Sequence, residues 1–355
     1  MDLPNTEAYY ANGNSGLTTK TFEALTYALD RVDADPGFSF LDFDQNGDGR
    51  IDSITFLHSG YGAEWGGTSA DGAYYKDRIW SHQWAIHDPN WISSEGVQVF
   101  QYDISPSIWG ASGSNIGRIG VICHETGHFL GLPDLYDTDG GGKGLGSYCL
   151  MANSWGFDSS QHYPPHPSAW AKIKLGWMTP TTLSASGTYS LSQAQSNSTA
   201  YRIDHGYPSG EYLLIENRQR FGFDADMPQG GLVIYHVDET TGYNAEGYPG
   251  QSGWPTNGLH YSVALLQADG AYELERAMDR GDGNDVYRGG GIAEIGPTTL
   301  PNTATYQDGI VADTGNRLSN ISVSGATMTF DLSVGMASPP VSYTHLRAHE
   351  TKANL

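Results

Sequence analysis

The stretch ICHETGHFLGLPDLYD, residues 122–137, contains two histidines four positions apart, His124 and His128, and Glu125 beside the first of them. Residues four apart in a helix project from the same face, so both imidazoles would reach one metal ion. Glu125 would then lie close to a water molecule on that ion and could act as a general base. The pattern predicts a catalytic zinc site.

The residues after His128 supply a third ligand. Gly131 can adopt the left-handed conformation that ends a helix, and Pro133 prevents the helix from continuing. Asp134 would therefore return towards the ion as an oxygen ligand. Two histidines and one carboxylate leave a fourth position open for water, which is the pattern of catalytic Zn²⁺. The alternative is a helix whose histidines only satisfy hydrogen bonds in the core.

The segment DQNGDGRID suggests a second metal, Ca²⁺. Four side chains and one carbonyl fall at the ligand positions of a calcium loop: Asp44, Asn46, Asp48, Asp52 and the Arg50 carbonyl. The last position of the loop holds Thr55 instead of the usual glutamate, so this is not an EF-hand proper. The alternative is a solvated acidic turn. A shorter acidic pattern, for which a simple turn is the expected structure, is formed by Asp279, Asp282 and Asp285.

Several elements must position these residues. Residues 114–131 are predicted to form one buried helix with Ser114 as its N-cap and Gly131 as its stop. An apolar face predicts a helix over residues 21–32, and Ser168 caps a further short helix that ends at Gly176. Residues 52–60 are predicted to contain a strand that leads into a glycine-rich turn.

The pattern changes after Pro180, where short apolar runs alternate with turn residues and no helical periodicity is found. This pattern favours an all-β sandwich. The predicted strands lie in residues 187–192, 200–204, 211–217, 231–237, 261–267 and 326–334. We therefore expect a first domain over residues 1–180 and a β-sandwich domain over residues 181–337. Residues 338–355 turn basic and lose all periodicity, so we expect a disordered, non-native tail there.

The composition limits the classes of partner and protein that the sequence is compatible with. The 355 residues include 40 Asp and Glu against 18 Lys and Arg, giving a formal net charge of −22. Such a surface argues against a nucleic-acid partner, because binding phosphates needs clustered cations. No apolar run approaches the roughly 18 residues of a membrane span. The 46 glycines and 22 tyrosines are typical of loop-rich secreted proteins, and we expect a monomer.

Longer motifs carry a resemblance to a known family. The stretch HETGHFLGLPDLYD followed by YCLMANSWG resembles the immune inhibitor A family of metzincin-like zinc metallopeptidases. The similarity continues in FLDFDQNGDGRIDSITFLHSGYGAEWGG, RIWSHQW, HPSAWAKIKLGW, EYLLIENRQ, GLVIYHVDE and VALLQADG, and covers most of residues 5–335. It implies an α+β or α/β zincin (metzincin-like) catalytic domain. It also implies a Met-turn, in which Met151 would lie beneath the zinc ligands.

The resemblance also implies an activity, a secreted zinc endopeptidase that acts on protein or peptide substrates with Glu125 as general base. Family members carry a signal peptide, a propeptide and further strands before the point where this chain starts, so we expect Met1 to be an internal position of a longer precursor. The alternative is a catalytically silent surface-binding or adhesion module that retains the fold. The presence of all four residues of the predicted site favours the enzyme.

Two cysteines flank the two parts of the site. Cys123 precedes the first histidine, and Cys149 lies two residues before Met151. Folding could bring them together as a disulfide that ties the active-site helix to the Met-turn. The alternative is two small buried thiols, and the spacing does not decide between these.

Overall fold

The computed structural model describes residues 1–87, 89–242, 247–255 and 260–335, so the predicted tail, residues 338–355, lies outside the described residues. The chain divides into two compact units. Unit 1 consists of Met1–Asp134, Gly146–Gly176 and Phe221–Asp226, and unit 2 consists of Leu135–Leu145, Trp177–Arg220 and the residues from Met227 onwards. The predicted domain limits, 1–180 and 181–337, stay a prediction.

Unit 1 combines helices with a small mixed sheet. Its α-helices are α1 (Glu7–Ala11), α2 (Thr21–Asp33), α3 (Ile119–Phe129) and α4 (Ala169–Lys174). Its strands are β1 (Thr55–Tyr61), β2 (His82–Ala85), β3 (Trp91–Ile92), β4 (Gln98–Val99) and β5 (Gln101–Ile108). Strand β5 lies in the middle of a three-stranded sheet, parallel to β1 and antiparallel to β2. Strands β3 and β4 form a separate antiparallel pair.

The core of unit 1 lies between α2 and the sheet. Helix α2 buries Phe22, Leu25 and Leu29, which belong to one apolar cluster with Tyr102 and Ile104 of β5. The helix predicted from the apolar face over residues 21–32 is thus confirmed. Helix α4 also follows its prediction, because the Ser168 hydroxyl accepts a hydrogen bond from the Ala171 amide at 3.3 Å and caps the helix.

The start of α3 differs from the sequence prediction. The helix begins at Ile119, five residues after the predicted cap Ser114. The reason is backbone pairing with β5, since the Gly117 amide donates to the Ser107 carbonyl at 2.6 Å and Ile116 forms a bridge with Ile108. These bonds hold the residues before α3 in an extended conformation. The amide of Val121 in the first turn is satisfied instead by the side chain of Gln161, whose Oε1 accepts it at 3.1 Å.

The described residues of unit 2 contain strands and no α-helix. The strands are β6 (Thr181–Thr182), β7 (Gly187–Ser192), β8 (Tyr201–Ile203), β9 (Glu211–Arg218), β10 (Gly231–Asp238), β11 (Val263–Leu265), β12 (Asn316–Ser319) and β13 (Thr327–Val334). They form a five-stranded sheet of order β11-β10-β9-β8-β6 and a three-stranded sheet of order β12-β13-β7. One apolar cluster draws on both sheets, with Ile215 and Ile234 from the first and Phe330 from the second.

All six predicted strand segments contain a strand, because alternating or continuous apolar runs bounded by turn residues are a strong local signal. The described residues form a mixed α/β structure with few helices and several sheets. The metzincin-like fold and the sandwich remain predictions. Of the helices in the described ranges, none has the length and hydrophobicity needed to cross a membrane.

Candidate metal centre

The carboxyl end of α3 turns the chain back on itself. Gly131 has φ +87°, the left-handed conformation that glycine adopts without strain. The Leu132 amide donates to the Gly127 carbonyl at 3.1 Å and the Gly131 amide to the His128 carbonyl at 3.0 Å. This pair of bonds is a Schellman motif, and it confirms Gly131 as the helix stop. The chain that leaves the motif brings Asp134 back towards α3.

Three predicted ligands converge at this point. The Oδ1 atom of Asp134 lies 3.1 Å from Nε2 of His124 and 3.4 Å from Nε2 of His128. The two imidazole rings are perpendicular, with centroids 4.9 Å apart. The structure therefore brings together all three residues that the sequence proposed as a ligand set.

The other ring nitrogens fix the orientation of both imidazoles. Nδ1 of His124 lies 3.0 Å from the Leu150 carbonyl, and Nδ1 of His128 lies 2.8 Å from the Leu132 carbonyl. A carbonyl oxygen can only accept, so each Nδ1 carries a proton, and each Nε2 is the nitrogen that faces Asp134 and would bind a metal. Backbone carbonyls commonly orient metal-binding histidines in this way. Sequence reasoning missed both partners because backbone groups leave no signature in side-chain spacing.

The donor set fits a tetrahedral metal ion. Bonds of about 2.0–2.1 Å to zinc place tetrahedral ligand atoms about 3.3 Å apart, and the two nitrogen–oxygen distances here are 3.1 and 3.4 Å. Two neutral imidazoles and one carboxylate are ligands that Zn²⁺ accepts, with one position left over. The chemistry of the three donors and these two distances thus fit a zinc ion.

The charges within the triad support an ionised Asp134. Burial opposes its ionisation, but hydrogen bonds and charges from His124 and His128 outweigh burial and hold the pKa of the carboxyl well below its usual range. Burial alone would lower the pKa of His128, whereas its hydrogen bonds to Asp134 and the Leu132 carbonyl raise it above the ordinary value. Asp134 therefore offers a full negative charge to a cation at any pH near neutrality.

Glu125 is buried beside the ligands. It is 7% exposed, and burial together with the charge of Asp134 raises the pKa of its carboxyl, against the two histidines and a backbone hydrogen bond from Gln83. Gln83 lies on β2, one of the two edge strands of the three-stranded sheet. The carboxyl is thus buried and within electrostatic range of the triad, and its raised pKa suits a group that transfers protons.

Two further buried carboxyls lie within electrostatic range of Glu125 and were not found from the sequence. Glu64 accepts a hydrogen bond from the Ser81 hydroxyl at 2.8 Å, and its pKa is raised by burial and by the charge of Glu125. Asp103 of β5 accepts from the Thr55 hydroxyl at 3.1 Å, and the same two causes raise its pKa to about 6. Each acid is distant from Glu125 in sequence, so only the tertiary fold shows them together.

Met151 lies in a tight turn next to α3. The amides of Ala152 and Asn153 both donate to the Cys149 carbonyl at 3.0 Å, which closes the turn around Met151. The Met151 side chain is completely buried and lies so close to Gly127 that a Cβ atom there would be 2.5 Å from its sulfur. The turn also provides the Leu150 carbonyl that orients His124.

The two cysteines are free thiols in the structure, so the disulfide considered from the sequence is not formed. Cys149 is fully buried, and its sulfur accepts a hydrogen bond from the Ser168 amide at 3.3 Å. Cys123 is half-buried on α3, and burial raises the pKa of its thiol. The two thiols are thus separate, but only Cys149 is buried as the alternative of two buried thiols expected.

In the predicted calcium loop, the carboxylates accept hydrogen bonds from backbone amides of the same loop. Asp44 accepts from the amides of Gly47, Asp48 and Gly49, while Oδ1 of Asp48 accepts from the Arg50 amide. The remaining predicted ligands, Asn46 and Asp52, accept from the amides of Asp48 and Gln45. The metal-binding clusters found among the described residues do not include this loop. Calcium at this loop is not supported and stays a prediction.

Comparison with known proteins links the site to a family. Residues 2–178 match the family described as immune inhibitor A peptidase M6, catalytic domain. Immune inhibitor A of Bacillus thuringiensis subsp. alesti is 34% identical over 161 residues, which are 39% of this chain and 22% of that protein. Pre-pro-metalloprotease PrtV of Vibrio cholerae serotype O1 is 31% identical over 194 residues, 46% of this chain and 20% of that protein. The chain thus spans about a fifth of the length of these curated relatives.

Proposed function

The chain belongs, through residues 2–178, to the immune inhibitor A peptidase M6 family, and on that premise we propose that it is a secreted zinc-dependent endopeptidase. A family of metallopeptidases implies a metal and protein or peptide substrates. The observation that carries the proposal is the convergence of Nε2 of His124, Nε2 of His128 and Oδ1 of Asp134, with Glu125 on the same helix. The secreted location rests on the similarity to immune inhibitor A and PrtV.

Different residues of the chain would have different roles in hydrolysis. Zn²⁺, held by His124, His128 and Asp134, would supply Lewis-acid polarisation and the acidification of water. Glu125 takes the proton from the attacking water, orients that water towards the scissile carbonyl and later gives the proton to the leaving amine. The backbone carbonyls of Leu150 and Leu132 hold the imidazoles in place throughout.

The finer features of the family are part of the same proposal. We propose a metzincin-like catalytic domain over residues 1–180, with Met151 in the Met-turn as an apolar support beneath the ligands, followed by a β-sandwich domain. The contact of Met151 with Gly127 and its complete burial support this role. A methionine in an ordinary core would also be buried, so the turn that presents the Leu150 carbonyl is the more specific support.

A metal analysis combined with casein hydrolysis tests the proposal. The purified chain should contain one zinc ion and should lose activity when a zinc chelator removes it. Glu125→Gln should keep the zinc, because this residue is not a ligand, and should lower turnover by at least about 100-fold. The matched control is Glu23→Gln, an exposed glutamate on α2, which should change neither.

Two results would contradict the proposal. One is full activity of Glu125→Gln, which would remove the general base from the mechanism. The other is a wild-type chain that binds zinc at this site but shows no hydrolysis, which would favour the silent binding module instead.

A further inference from the structure

The first turn of α3 receives a hydrogen-bond partner from a distant segment of unit 1. The Val121 amide donates to Oε1 of Gln161 at 3.1 Å, although the two residues are 40 positions apart in the sequence. Amides in the first turn have no partner within their own helix, and a residue just before the helix usually supplies one. Here Gln161 supplies it, and the bond ties the start of α3 to the segment that follows Met151.

The backbone of Gln161 has a conformation that favours glycine. Its φ is +59°, and Ser159, an exposed residue of the same loop, has φ +57°. Residues with a Cβ atom rarely adopt this left-handed region, because the Cβ atom then approaches the following carbonyl oxygen. Such strain persists where the surrounding structure requires it, and it is common at functional sites. At position 161 two hydrogen bonds require it, the one from the Val121 amide and the one that the Gln161 amide donates to the Trp155 carbonyl at 2.9 Å.

Gln161 also packs closely against the helix that it caps. It is only 4% exposed, and a Cβ atom at Gly120 would lie 2.8 Å from the Cβ atom of Gln161. The preceding residue, Ser160, adds a contact, because its carbonyl accepts from Nη1 of Arg118 at 2.6 Å. The loop therefore holds the start of α3 through the cap, a close packing contact and a side-chain hydrogen bond.

The same segment contacts a predicted metal ligand at its other end. The Leu150 carbonyl accepts from Nδ1 of His124 at 3.0 Å. His124 and the capped residue Val121 are three positions apart on α3, which is less than one helical turn. Residues 150–161 thus hold α3 both at its first turn and at the side chain of the first histidine. A change at the cap can therefore shift the helix relative to the carbonyl that orients this histidine.

We propose that Gln161 is a positioning residue for the metal centre, because its cap fixes the rotation and the axial position of the helix that carries both histidines and Glu125. The inference rests on the proposed function, since the exact position of α3 matters only if the triad binds zinc. Zinc sites keep their bond lengths within about 0.2 Å. A small shift of α3 against the Leu150 carbonyl would therefore weaken zinc binding even in a chain that remains folded.

The zinc affinity of the folded chain tests this role. Gln161→Gly removes the cap, but glycine fits the left-handed backbone without strain. We expect the Kd for zinc, measured by competition with a chromogenic chelator, to rise about 10-fold, as is common when a group that orients metal ligands is lost. Gln161→Glu keeps the length of the side chain and an acceptor oxygen, and its charge suits the N-terminus of a helix. It should keep the Kd within about threefold of the wild-type value.

Ser159→Gly is the matched control, because it makes the same change at an exposed left-handed residue of the same loop. It should leave the zinc Kd unchanged. All Kd values are measured at a temperature at which circular dichroism shows each variant to be fully folded, so that a loss of stability alone would not change them. The recovery of affinity in Gln161→Glu then separates the effect of the cap from any other effect of a substitution at this position.

An unchanged zinc Kd in folded Gln161→Gly would overturn the proposal and would show that the cap only stabilises the fold. Gln161→Glu binding zinc as weakly as Gln161→Gly would overturn it as well, since the acceptor oxygen would then not be the cause. If Gln161→Gly does not fold, Gln161→Asn decides the outcome and should show the same weaker binding, because asparagine tolerates the left-handed region but is one methylene shorter.

The readout is independent of hydrolysis. A wild-type chain that binds zinc but does not cleave casein would contradict the proposed function, and the comparison of zinc Kd values would still decide the role of Gln161. A wild-type chain that binds no zinc would overturn both.

Discussion

At the scale of single residues, Asp134 is the most exposed member of the triad, with 27% of its side chain accessible, and also the one that contributes the charge. Asp134→Asn keeps the shape of the side chain but removes the negative charge that faces both imidazoles. Substituting residues that only support metal ligands commonly lowers metal affinity about 10–100-fold. Because Asp134 is itself a proposed ligand, we expect this substitution to lower zinc affinity by at least about 100-fold. Competition with a chromogenic chelator measures the Kd.

The control for this substitution is Asp139→Asn, an exposed acid five residues further along the chain, whose Oδ1 accepts from the Gly141 amide. Its zinc affinity should equal that of the wild type. Equal affinity of the two variants would mean that Asp134 is not a ligand.

The sequence could predict this site because most of its side chains lie in one short segment. His124, Glu125 and His128 share a helix, and a glycine stop accounts for the return of Asp134. The neighbouring acids Glu64 and Asp103 could not be predicted, since they reach Glu125 only through tertiary packing. Local spacing therefore predicts the ligands but not the electrostatic surroundings that set their proton affinities.

At the scale of elements, the first turn of α3 depends on close packing around Gly120. A Cβ atom at this position would run into the Ser154 carbonyl and lie 2.8 Å from Cβ of Gln161, the residue that caps the Val121 amide. Replacing glycine by alanine inside a helix normally stabilises it by about 1 kcal/mol. Here overpacking costs about 1–3 kcal/mol and the cap is displaced as well, so Gly120→Ala should lower the stability.

Urea unfolding followed by circular dichroism measures this effect as a lower midpoint for Gly120→Ala. Ile119→Ala, an exposed position in the same turn, should change stability by less than about 0.5 kcal/mol and serves as the control. A Gly120→Ala variant more stable than the wild type would show that propensity outweighs packing at this position.

The elements themselves were predictable to different degrees. The strands of unit 2 and helix α2 follow from apolar periodicity, which is a local property. The start of α3 was predicted too early because the pairing of residues 114–118 with β5 is a long-range effect that the local sequence does not show. Helix α1 and strands β3 and β4, which are five residues or fewer, are too short to show a period.

At the scale of the whole molecule, composition and charge do not show how the chain divides into units. The chain leaves unit 1 at Asp134, returns at Gly146, leaves again after Gly176 and contributes Phe221–Asp226 once more. These short segments have no periodic pattern, so the sequence alone predicts a single domain boundary near residue 180. The excess of 22 negative charges is distributed over both units and includes several buried acids.

Those buried acids predict an unusual pH dependence of stability for the metal-free chain. Burial raises the pKa of Glu7 to about 7, and those of Glu275 and Asp285 to about 8. In the unfolded chain these groups titrate near 4, so between about pH 8.5 and 7 only the folded state takes up protons. Stability should therefore rise as the pH falls through this window, and it should be lowest above pH 8.5, where all three groups are ionised in both states.

Urea midpoints measured in the presence of a chelator at pH 8.5 and 7 test this prediction, and the midpoint should be higher at pH 7. The window ends there because His58, whose pKa burial lowers to about 4, opposes the trend once unfolded histidines begin to take up protons near pH 6.5. Glu275→Gln together with Asp285→Asn should flatten the dependence, since both groups then stay neutral. A wild-type urea midpoint that is lower at pH 7 than at pH 8.5 would contradict the prediction. It would show that these carboxyls are already balanced by charges within the fold.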